Sequence, residues 1–158
     1  MKHNIIIAEF ESRDLEEILD LFYNTIHSVN ARDYSKNQLD AWGIANPDRD
    51  RWLLGLSRNK TYVAKLNNII VGFGDLNSQY YIDRLYTHKD YQNIGIGTSI
   101  VEMLEEDAIQ LGYRKVYTEA SITAKAFFLS KGYTVVTRQN KHHNGEVFIN
   151  YIMEKKLV

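Results

Sequence analysis

The stretch Gln92-Asn93-Ile94-Gly95-Ile96-Gly97-Thr98 decides how this chain folds. It separates a strand-like run, residues 80–88, from a helix-like run, residues 98–111. Two glycines two positions apart let the backbone turn tightly and leave its amide groups uncovered by side chains. The helix that follows begins with unpaired N–H groups and with the positive end of its dipole, which favour a phosphate-bearing ligand. From spacing alone, a simple strand-to-helix turn is an equally good interpretation.

Two better-known glycine loops do not fit this stretch. A Walker A loop needs a lysine directly after its last glycine, and here Thr98 follows Gly97. A dinucleotide-binding fingerprint needs a third glycine or an alanine three residues after Gly97, where the chain has Ile100. We therefore do not expect nucleotide binding of either kind.

The composition excludes several classes of function. The chain has 158 residues, of which 44% are hydrophobic and 25% charged, and its formal net charge is −1. This near-neutral balance predicts no binding to nucleic acid or to an anionic membrane. The sequence has no apolar stretch of the roughly 20 residues that cross a bilayer. Because the chain has no cysteine, it has no disulfide, thiolate metal site or cysteine nucleophile.

Neither the N-terminus nor the one histidine pair predicts a further function. Met1-Lys2-His3-Asn4 leads into only three isoleucines and an alanine, too short an apolar run for a signal peptide, so we expect a cytoplasmic protein. The pair His142-His143 lies in a polar stretch before Gly145 and is expected to form a hairpin loop. Two adjacent histidines without a third ligand make a poor metal site, and we expect no metal.

The hydrophobic pattern predicts one domain that mixes strands and helices. A helix is expected over residues 15–26, with Asp14 and Glu17 as its capping box. Further helices are predicted at residues 38–43, 48–57, 98–111 and 121–130. Seven strand-like runs are predicted at residues 5–7, 61–66, 69–75, 80–88, 115–118, 133–137 and 147–153, with Asn67-Asn68 as a hairpin turn. Their order, β-α-α-α-β-β-β-α-β-α-β-β, indicates a mixed sheet flanked by helices.

Two motifs resemble the signatures of the GNAT superfamily of N-acetyltransferases. The stretch Leu85-Tyr86-Thr87-His88-Lys89-Asp90-Tyr91-Gln92-Asn93-Ile94-Gly95-Ile96-Gly97 resembles a Gln/Arg-x-x-Gly-x-Gly/Ala loop after a hydrophobic strand. The stretch Ala124-Lys125-Ala126-Phe127-Phe128-Leu129-Ser130-Lys131-Gly132-Tyr133 is similar to the family's Ala-x-x-Phe/Leu-Tyr-x-x-x-Gly-Phe/Tyr segment. The resemblance implies one α/β (α+β) acyltransferase domain over residues 4–158, with a mostly antiparallel sheet of about six to seven strands.

A narrower likeness is to a bacterial subgroup of acetyltransferases of the YafP type. It rests on Ile26-His27-Ser28-Val29-Asn30, on Tyr34, Gln38 and Trp42, and on Glu119-Ala120-Ser121 before the second motif. This likeness brings no acceptor substrate with it.

The resemblance implies acetyl-CoA as the anionic ligand. Backbone amides of the glycine loop would bind its pyrophosphate, the preceding strand would pair with its pantetheine arm, and the second motif would lie on its far side. The residues implied are Leu85, Tyr86, Thr87, Gln92, Asn93, Ile94, Gly95, Ile96, Gly97, Thr98, Phe127, Phe128 and Lys131. The two phenylalanines are better explained as core residues than as cofactor contacts.

Acetyl transfer to an amine poses two proton-transfer problems. In many members of the family a tyrosine protonates the leaving thiolate, but this chain has Phe128 at that position, so Tyr81, Tyr86 and Tyr133 stay as candidate acids. Asp83 and Glu119 are the candidate bases, because each lies in or at the end of a predicted strand near the cofactor. We do not expect Asp83 to pair with Arg84, because adjacent strand residues point to opposite faces.

The acceptor site and the reaction class stay open on two points. His27, Tyr34 and Trp42 are candidate substrate contacts in the region where GNAT proteins vary most, although each also suits ordinary helix packing. The resemblance implies transfer from acetyl-CoA to a primary amine of a small molecule or peptide, and a homodimer is one implied assembly. The alternative is a GNAT-fold module that binds CoA without turnover, since Phe128 removes the usual acid.

Overall fold

The computed structural model describes residues 4–158 and is built on one mixed sheet of seven strands. Met1 to His3, part of the N-terminal stretch discussed for a signal peptide, lie outside the described residues. The strands are β1 (Ile6–Glu9), β2 (Lys60–Leu66), β3 (Ile69–Leu76), β4 (Tyr81–Thr87), β5 (Lys115–Ser121), β6 (Thr134–His143) and β7 (Glu146–Lys156). They lie side by side in the order β1-β2-β3-β4-β5-β7-β6, and every neighbouring pair except β4–β5 is antiparallel. The predicted fold class and the predicted order of strands and helices along the chain are confirmed.

Five helices cover the two faces of this sheet. They are α1 (Leu15–Ser28), α2 (Lys36–Trp42), α3 (Arg49–Arg58), α4 (Ile96–Gln110) and α5 (Lys125–Ser130). One face carries α4, whose Ile100, Leu104 and Ala108 are buried with Val116 and Met153 of the sheet. The other face carries α1 and α3, whose buried residues pack on β2 and β3. These two layers bury one face of α1 and one face of α4.

The start of α4 is pressed against β3 because β3 has two glycines there. A Cβ added at Gly72 would lie 2.5 Å from Cγ2 of Ile96, and one at Gly74 would lie 2.8 Å from Cγ2 of Ile100. Larger side chains would therefore push the helix off the sheet. The helix begins at Ile96, two residues earlier than predicted, so the second half of the glycine loop is already helical.

The capping box predicted from Asp14 and Glu17 is wrong. Asp14 stands at the N-cap of α1, but its Oδ2 accepts from the N–H of Glu11 at 2.9 Å in the short turn before the helix. Glu17 points to the sheet instead, where its Oε2 accepts from the N–H of Ile70 at 2.6 Å. A contact between elements distant in sequence has replaced the local one.

Two hairpins have asparagine in left-handed conformations at their turns. Asn67 and Asn68 have φ of 50° and 64°, as predicted for a tight turn between β2 and β3. The second turn is Asn144-Gly145, with φ of 48° and 81°, and it joins β6 to β7. The pair His142-His143 therefore ends β6 rather than forming the loop itself, and β6 and β7 are longer than predicted.

β4 and β5 separate soon after they meet. Within residues 4–158 their ladder holds two residue pairs, Tyr81 with Tyr117 and Ile82 with Thr118. On its other edge β4 has a bulge, because Asp75 pairs with Arg84 and Leu76 with Ile82, which leaves Asp83 as the extra residue. The sheet thus opens directly beyond Ile82.

Candidate functional site

Two clefts meet where β4 and β5 separate. We call the first the loop cleft: it has a volume of about 660 Å³ and lies between the loop before α4, the end of α1 and helix α5. The second, the aromatic cleft, has a volume of about 440 Å³, and its apolar wall is formed by Tyr34, Trp42, Tyr86 and Phe148. Asp83, Glu119, Trp42 and Tyr86 line both clefts, and we call the place where these residues stand the junction.

The glycine loop presents its backbone to the loop cleft. Asn93 and Gly95 have φ of 60° and 91°, a left-handed conformation that turns the chain sharply before α4 begins. The Gln92 side chain ties the loop to the end of β4, since its Nε2 donates to the carbonyl oxygens of Thr87 at 2.8 Å and His88 at 3.1 Å. Thr25 of α1 donates to the same Thr87 oxygen at 2.9 Å. The loop is therefore held in place by side chains from both sides.

The cofactor residues predicted from sequence gather in one place. All of them except Ile94 line the loop cleft; Ile94 packs against the core under α4. Phe127 lies over Gly97, where an added Cβ would be 3.3 Å from its ring. Phe128 is only 3% exposed and packs edge-on against Phe127 and Tyr133.

The loop cleft suits the chemistry of CoA. The first turn of α4 supplies backbone N–H groups and the positive end of a 15-residue helix, and Lys131 and Arg32 add two cationic side chains. Beyond Ile82 the edge of β4 that faces β5 has no strand partner in the part of the chain described, so its backbone groups can pair with an extended amide chain. Arg32 was not predicted, because it lies in a short turn after α1 that no motif marks.

Asp83 stands at the junction because of the β4 bulge. Ile82 and Leu85 both pack on the α4 side although they are three residues apart, so the alternation of faces slips by one between them. Arg84 Nη1 consequently lies 3.8 Å from Asp83 Oδ2, and the prediction that adjacent residues cannot approach each other is wrong here. The Asp83 side chain is 48% exposed.

Arg84 is itself held in place by residues of β3 and of α3, on the side of the sheet opposite α4. It forms an ion pair with the buried Asp75, and its guanidinium lies 4.9 Å from the centre of the Trp52 ring in α3. Asn59 also donates to Asp75, at 3.0 Å. Burial raises the pKa of Asp75, against the opposing effects of Arg84 and Asn59. The bulge therefore rests on a packed, charged support.

Glu119 stands opposite Asp83 at the end of β5, in a different environment. Its carboxylate is held by the ammonium group of Lys141, which reaches across β7 from β6. The two predicted carboxylates are thus brought to one junction, where Glu119 pairs with Lys141 and Asp83 faces Arg84 at 3.8 Å. Asp83 is the more exposed of the two side chains, at 48% against 33% for Glu119, so its carboxylate is the more accessible from the clefts.

The structure does not bring Tyr133 into either cleft. Its side chain is 1% exposed, and its hydroxyl donates to Glu105 of α4 at 2.7 Å. Burial, and then the bond to Glu105, raise the pKa of this tyrosine. Tyr133 is therefore a packing residue, which argues against the role of acid that the sequence left open. Tyr86 lines both clefts, with burial raising its pKa, and Tyr81 lines the aromatic cleft.

Of the three predicted substrate contacts, two line the aromatic cleft and one does not. Tyr34 and Trp42 are wall residues, with ring centres 5.4 Å apart. His27 lies outside both clefts: its Nε2 is 2.7 Å from the carbonyl oxygen of Gly43, and its ring lies 4.2 Å from that of Tyr23. His27 fastens α1 to the end of α2, so its predicted contact with substrate is not supported.

The β6–β7 hairpin supplies cleft residues that sequence reasoning missed. Lys141, His143, Phe148 and Asn150 all line the aromatic cleft. Their strands were predicted too short, although Asn144-Gly145 is itself a strong hairpin signal from which the alternation could have been extended. In residues 4–158, no group of three His, Cys, Asp or Glu side chains is arranged to hold a metal ion, and no helix is long and apolar enough to cross a membrane.

Comparison with known proteins places this geometry among acetyltransferases. The Acetyltransferase (GNAT) domain family matches residues 30–155. One similar structure, from Rhodopseudomonas palustris, is described as a GCN5-related N-acetyltransferase (Aminotransferase, Class-II). It is 31% identical to this chain with a TM-score of 0.93, and the match covers 99% of this chain and 96% of that one. The Escherichia coli protein called uncharacterized N-acetyltransferase YafP is 29% identical over 98% of this chain and 97% of its own length, which confirms the likeness to YafP. PaiA N-acetyltransferase from Thermoplasma acidophilum, solved with coenzyme A, shares the fold at 19% identity, 97% and 99% coverage and a TM-score of 0.80.

Proposed function

The chain belongs to the GNAT family of acetyl-CoA-dependent N-acetyltransferases, and we propose that it transfers the acetyl group directly to a primary amine in a ternary complex. The observation that carries this proposal is the meeting of two clefts at one pair of carboxylates. Donor and acceptor can occupy separate clefts at the same time and react where the clefts join. Direct transfer needs no covalent enzyme intermediate, which fits a chain without cysteine.

We propose that the donor occupies the loop cleft. Bound acetyl-CoA would supply an acyl group activated as a thioester. The backbone N–H groups of residues 93–98 would hold its pyrophosphate, with Lys131 and Arg32 adding positive charge, and the free edge of β4 at Leu85 to Thr87 would pair with the pantetheine arm. Phe127 would close the far side of the cleft over Gly97.

We propose that Asp83, directly or through a water molecule, takes the proton of the incoming ammonium group. An alkylamine with a pKa of about 10.4 is almost entirely protonated near pH 7, so the acceptor needs this step before it can attack. Asp83 is favoured over Glu119 because its side chain is more exposed, 48% against 33%, and because its contact with Arg84, at 3.8 Å, is longer than the hydrogen-bonded ion pair between Glu119 and Lys141. General base catalysis of this kind is worth about 10²–10⁴-fold in rate.

No side chain is assigned the role of acid. Phe128, at the position of the family's tyrosine, has no hydroxyl, and Tyr133 donates its own to Glu105. As the C–N bond forms and the C–S bond breaks, we propose that water protonates the leaving thiolate, whose pKa is roughly 8.5 by analogy with cysteine. The reaction then rests mainly on positioning by the two clefts.

We also propose that residues 4–158 act as one acetyltransferase domain. Strands from the beginning, middle and end of the chain share one sheet, and both clefts need elements from each part. The homodimer that the family resemblance implies and the cytoplasmic location both stay predictions.

Thiol release from acetyl-CoA tests the proposal, measured with a broad panel of primary amines beside calorimetric titration with CoA. We expect CoA binding, and amine-dependent release that falls about 10²–10⁴-fold in Asp83→Asn with CoA affinity unchanged. Asp90→Asn is the matched control, since Asp90 lies outside both clefts and pairs with Lys89. CoA binding without release on the whole panel would establish the binding module instead. Full activity of Asp83→Asn would remove Asp83 from the mechanism.

A further inference from the structure

We infer that the acceptor is an aromatic monoamine: a single primary amino group joined by a short chain to an aromatic ring. This inference rests on the proposed acetyl transfer and concerns the aromatic cleft, which opens at the junction. It follows from the walls of that cleft and from the distribution of charge along it.

One wall of the aromatic cleft is formed by four packed aromatic rings, and most of its other lining residues are polar. Trp42 lies edge-on to Tyr34, Phe148 and Tyr86, with ring centres 5.4, 6.0 and 6.4 Å apart. Such offset and edge-to-face contacts are the preferred geometry of aromatic groups, and one more ring can join them in the same way. The volume of about 440 Å³ lies within the range of small-molecule sites.

This wall is held in place by hydrogen bonds within the protein. The Tyr34 hydroxyl donates to the carbonyl oxygen of Ile149 at 3.0 Å and accepts from the N–H of Ile122 at 2.9 Å. These bonds fix Tyr34 between β7 and the segment that follows β5. An apolar wall held in this way favours a rigid ring over a flexible chain, because less conformational freedom is lost on binding.

The charge of the cleft is concentrated at the junction. Asp83 and Glu119 stand there, so the ammonium group of the acceptor points to the place where the thioester would lie. Of the other residues that line this cleft, Lys141 and His143 can carry positive charge, and none beyond Asp83 and Glu119 carries a carboxylate. The cleft therefore provides for one ammonium group at one end.

This distribution disfavours the other simple amines. A polyamine would place its second ammonium group among Trp42, Phe148 and His143, where it meets no carboxylate. The carboxylate of an amino acid could pair with Lys141 only in competition with Glu119, which already pairs with it. The imidazole of His143 also has a partner already, since its Nε2 lies 3.2 Å from Asn144 Nδ2.

The test compares kcat/KM for 2-phenylethylamine, n-butylamine, spermidine and phenylalanine with saturating acetyl-CoA. We expect 2-phenylethylamine to exceed each of the others by at least about tenfold, because its ring is removed from water in the cleft. Equal or better use of spermidine or phenylalanine would overturn the inference while leaving the proposed acetyl transfer intact. No transfer to any amine, with CoA bound, would overturn the proposed function and the inference with it.

Two substitutions connect this preference to the wall. Phe148→Leu keeps an apolar side chain but removes a ring, and we expect it to lower the ratio of 2-phenylethylamine to n-butylamine by about tenfold. Phe10→Leu is the matched control, because Phe10 packs under β1 and lines neither cleft, and should leave the ratio unchanged. CoA affinity is measured for both variants, and an unchanged value shows that each variant is folded. An unchanged ratio in a Phe148→Leu protein that binds CoA normally would overturn the assignment of the wall.

Discussion

Asp83 owes its place at the junction to a single extra residue in β4. Without the bulge, strict alternation would put Ile82 and Arg84 on the same face of the sheet. With it, Ile82 packs under α4 while Arg84 reaches α3 and Trp52 on the other side. The carboxylate between them is carried out to the opening of the sheet. One extra residue in the strand thus places the carboxylate that we propose as the base at the aromatic cleft.

The substitution Tyr133→Phe separates a packing role from a catalytic one. Its hydroxyl bonds Glu105 in a largely buried site, so its loss should lower the free energy of unfolding by about 1 kcal/mol in chemical denaturation. We expect kcat to stay within about twofold, because Tyr133 lines neither cleft. Tyr23→Phe, at a 38% exposed site, serves as control and should change neither quantity. A tenfold fall in kcat at unchanged stability would restore Tyr133 as an acid.

At the scale of elements, the glycine loop and the first turn of α4 line the loop cleft together, and Gly97 is the position that tests the CoA site proposed there. Gly97→Val places a branched side chain at the floor of the loop cleft, with its Cβ about 3.3 Å from the Phe127 ring. We expect calorimetry to show CoA affinity lowered by about tenfold or more, because the added carbons crowd ligand and ring alike. Gly95 is less suitable for this test, because its φ of 91° would strain valine with or without ligand.

Glu102→Val is the matched control for Gly97→Val. It puts the same β-branched residue into α4 at an exposed position away from the cleft, so it introduces valine into the helix without crowding the cleft. Equal CoA affinity in the two variants would remove Gly97 from the binding surface.

Local signals were enough for most elements, whereas features that depend on pairing between elements were not visible in the sequence. The turn at Asn67-Asn68 and the loop at Gly95 carry their own conformational signature, and both were predicted. The Asp83 bulge depends on the register between β3 and β4, and Glu17 is diverted by an N–H of β3. Arg32 reaches the loop cleft only through the packing of α1. Contacts of this kind join residues that are far apart in the sequence, so no local sequence pattern predicts them.

For the whole molecule, ligand binding and stability should be coupled. Each half of the loop cleft belongs to a different part of the sheet, so CoA would contact β4 on one side and β5 and α5 on the other. At a concentration about 100-fold above its dissociation constant, a ligand of the native state adds about 2.7 kcal/mol, which raises Tm by about 5–10 °C for a domain of this size.

Thermal unfolding with and without CoA measures this coupling. We expect the rise in Tm for the wild-type protein and for Glu102→Val, and a much smaller rise for Gly97→Val at the same CoA concentration. An equal rise in Gly97→Val would mean that CoA binds elsewhere on the fold.

The two residue pairs that join β4 to β5 have a consequence for how such a protein can evolve. Substitutions that extend this ladder past Ile82 would add hydrogen bonds and strengthen the sheet. They would also close the gap through which donor and acceptor reach each other. Selection for activity should therefore keep the ladder between β4 and β5 short. We expect natural variants to avoid substitutions that stabilise the protein by pairing these two strands further.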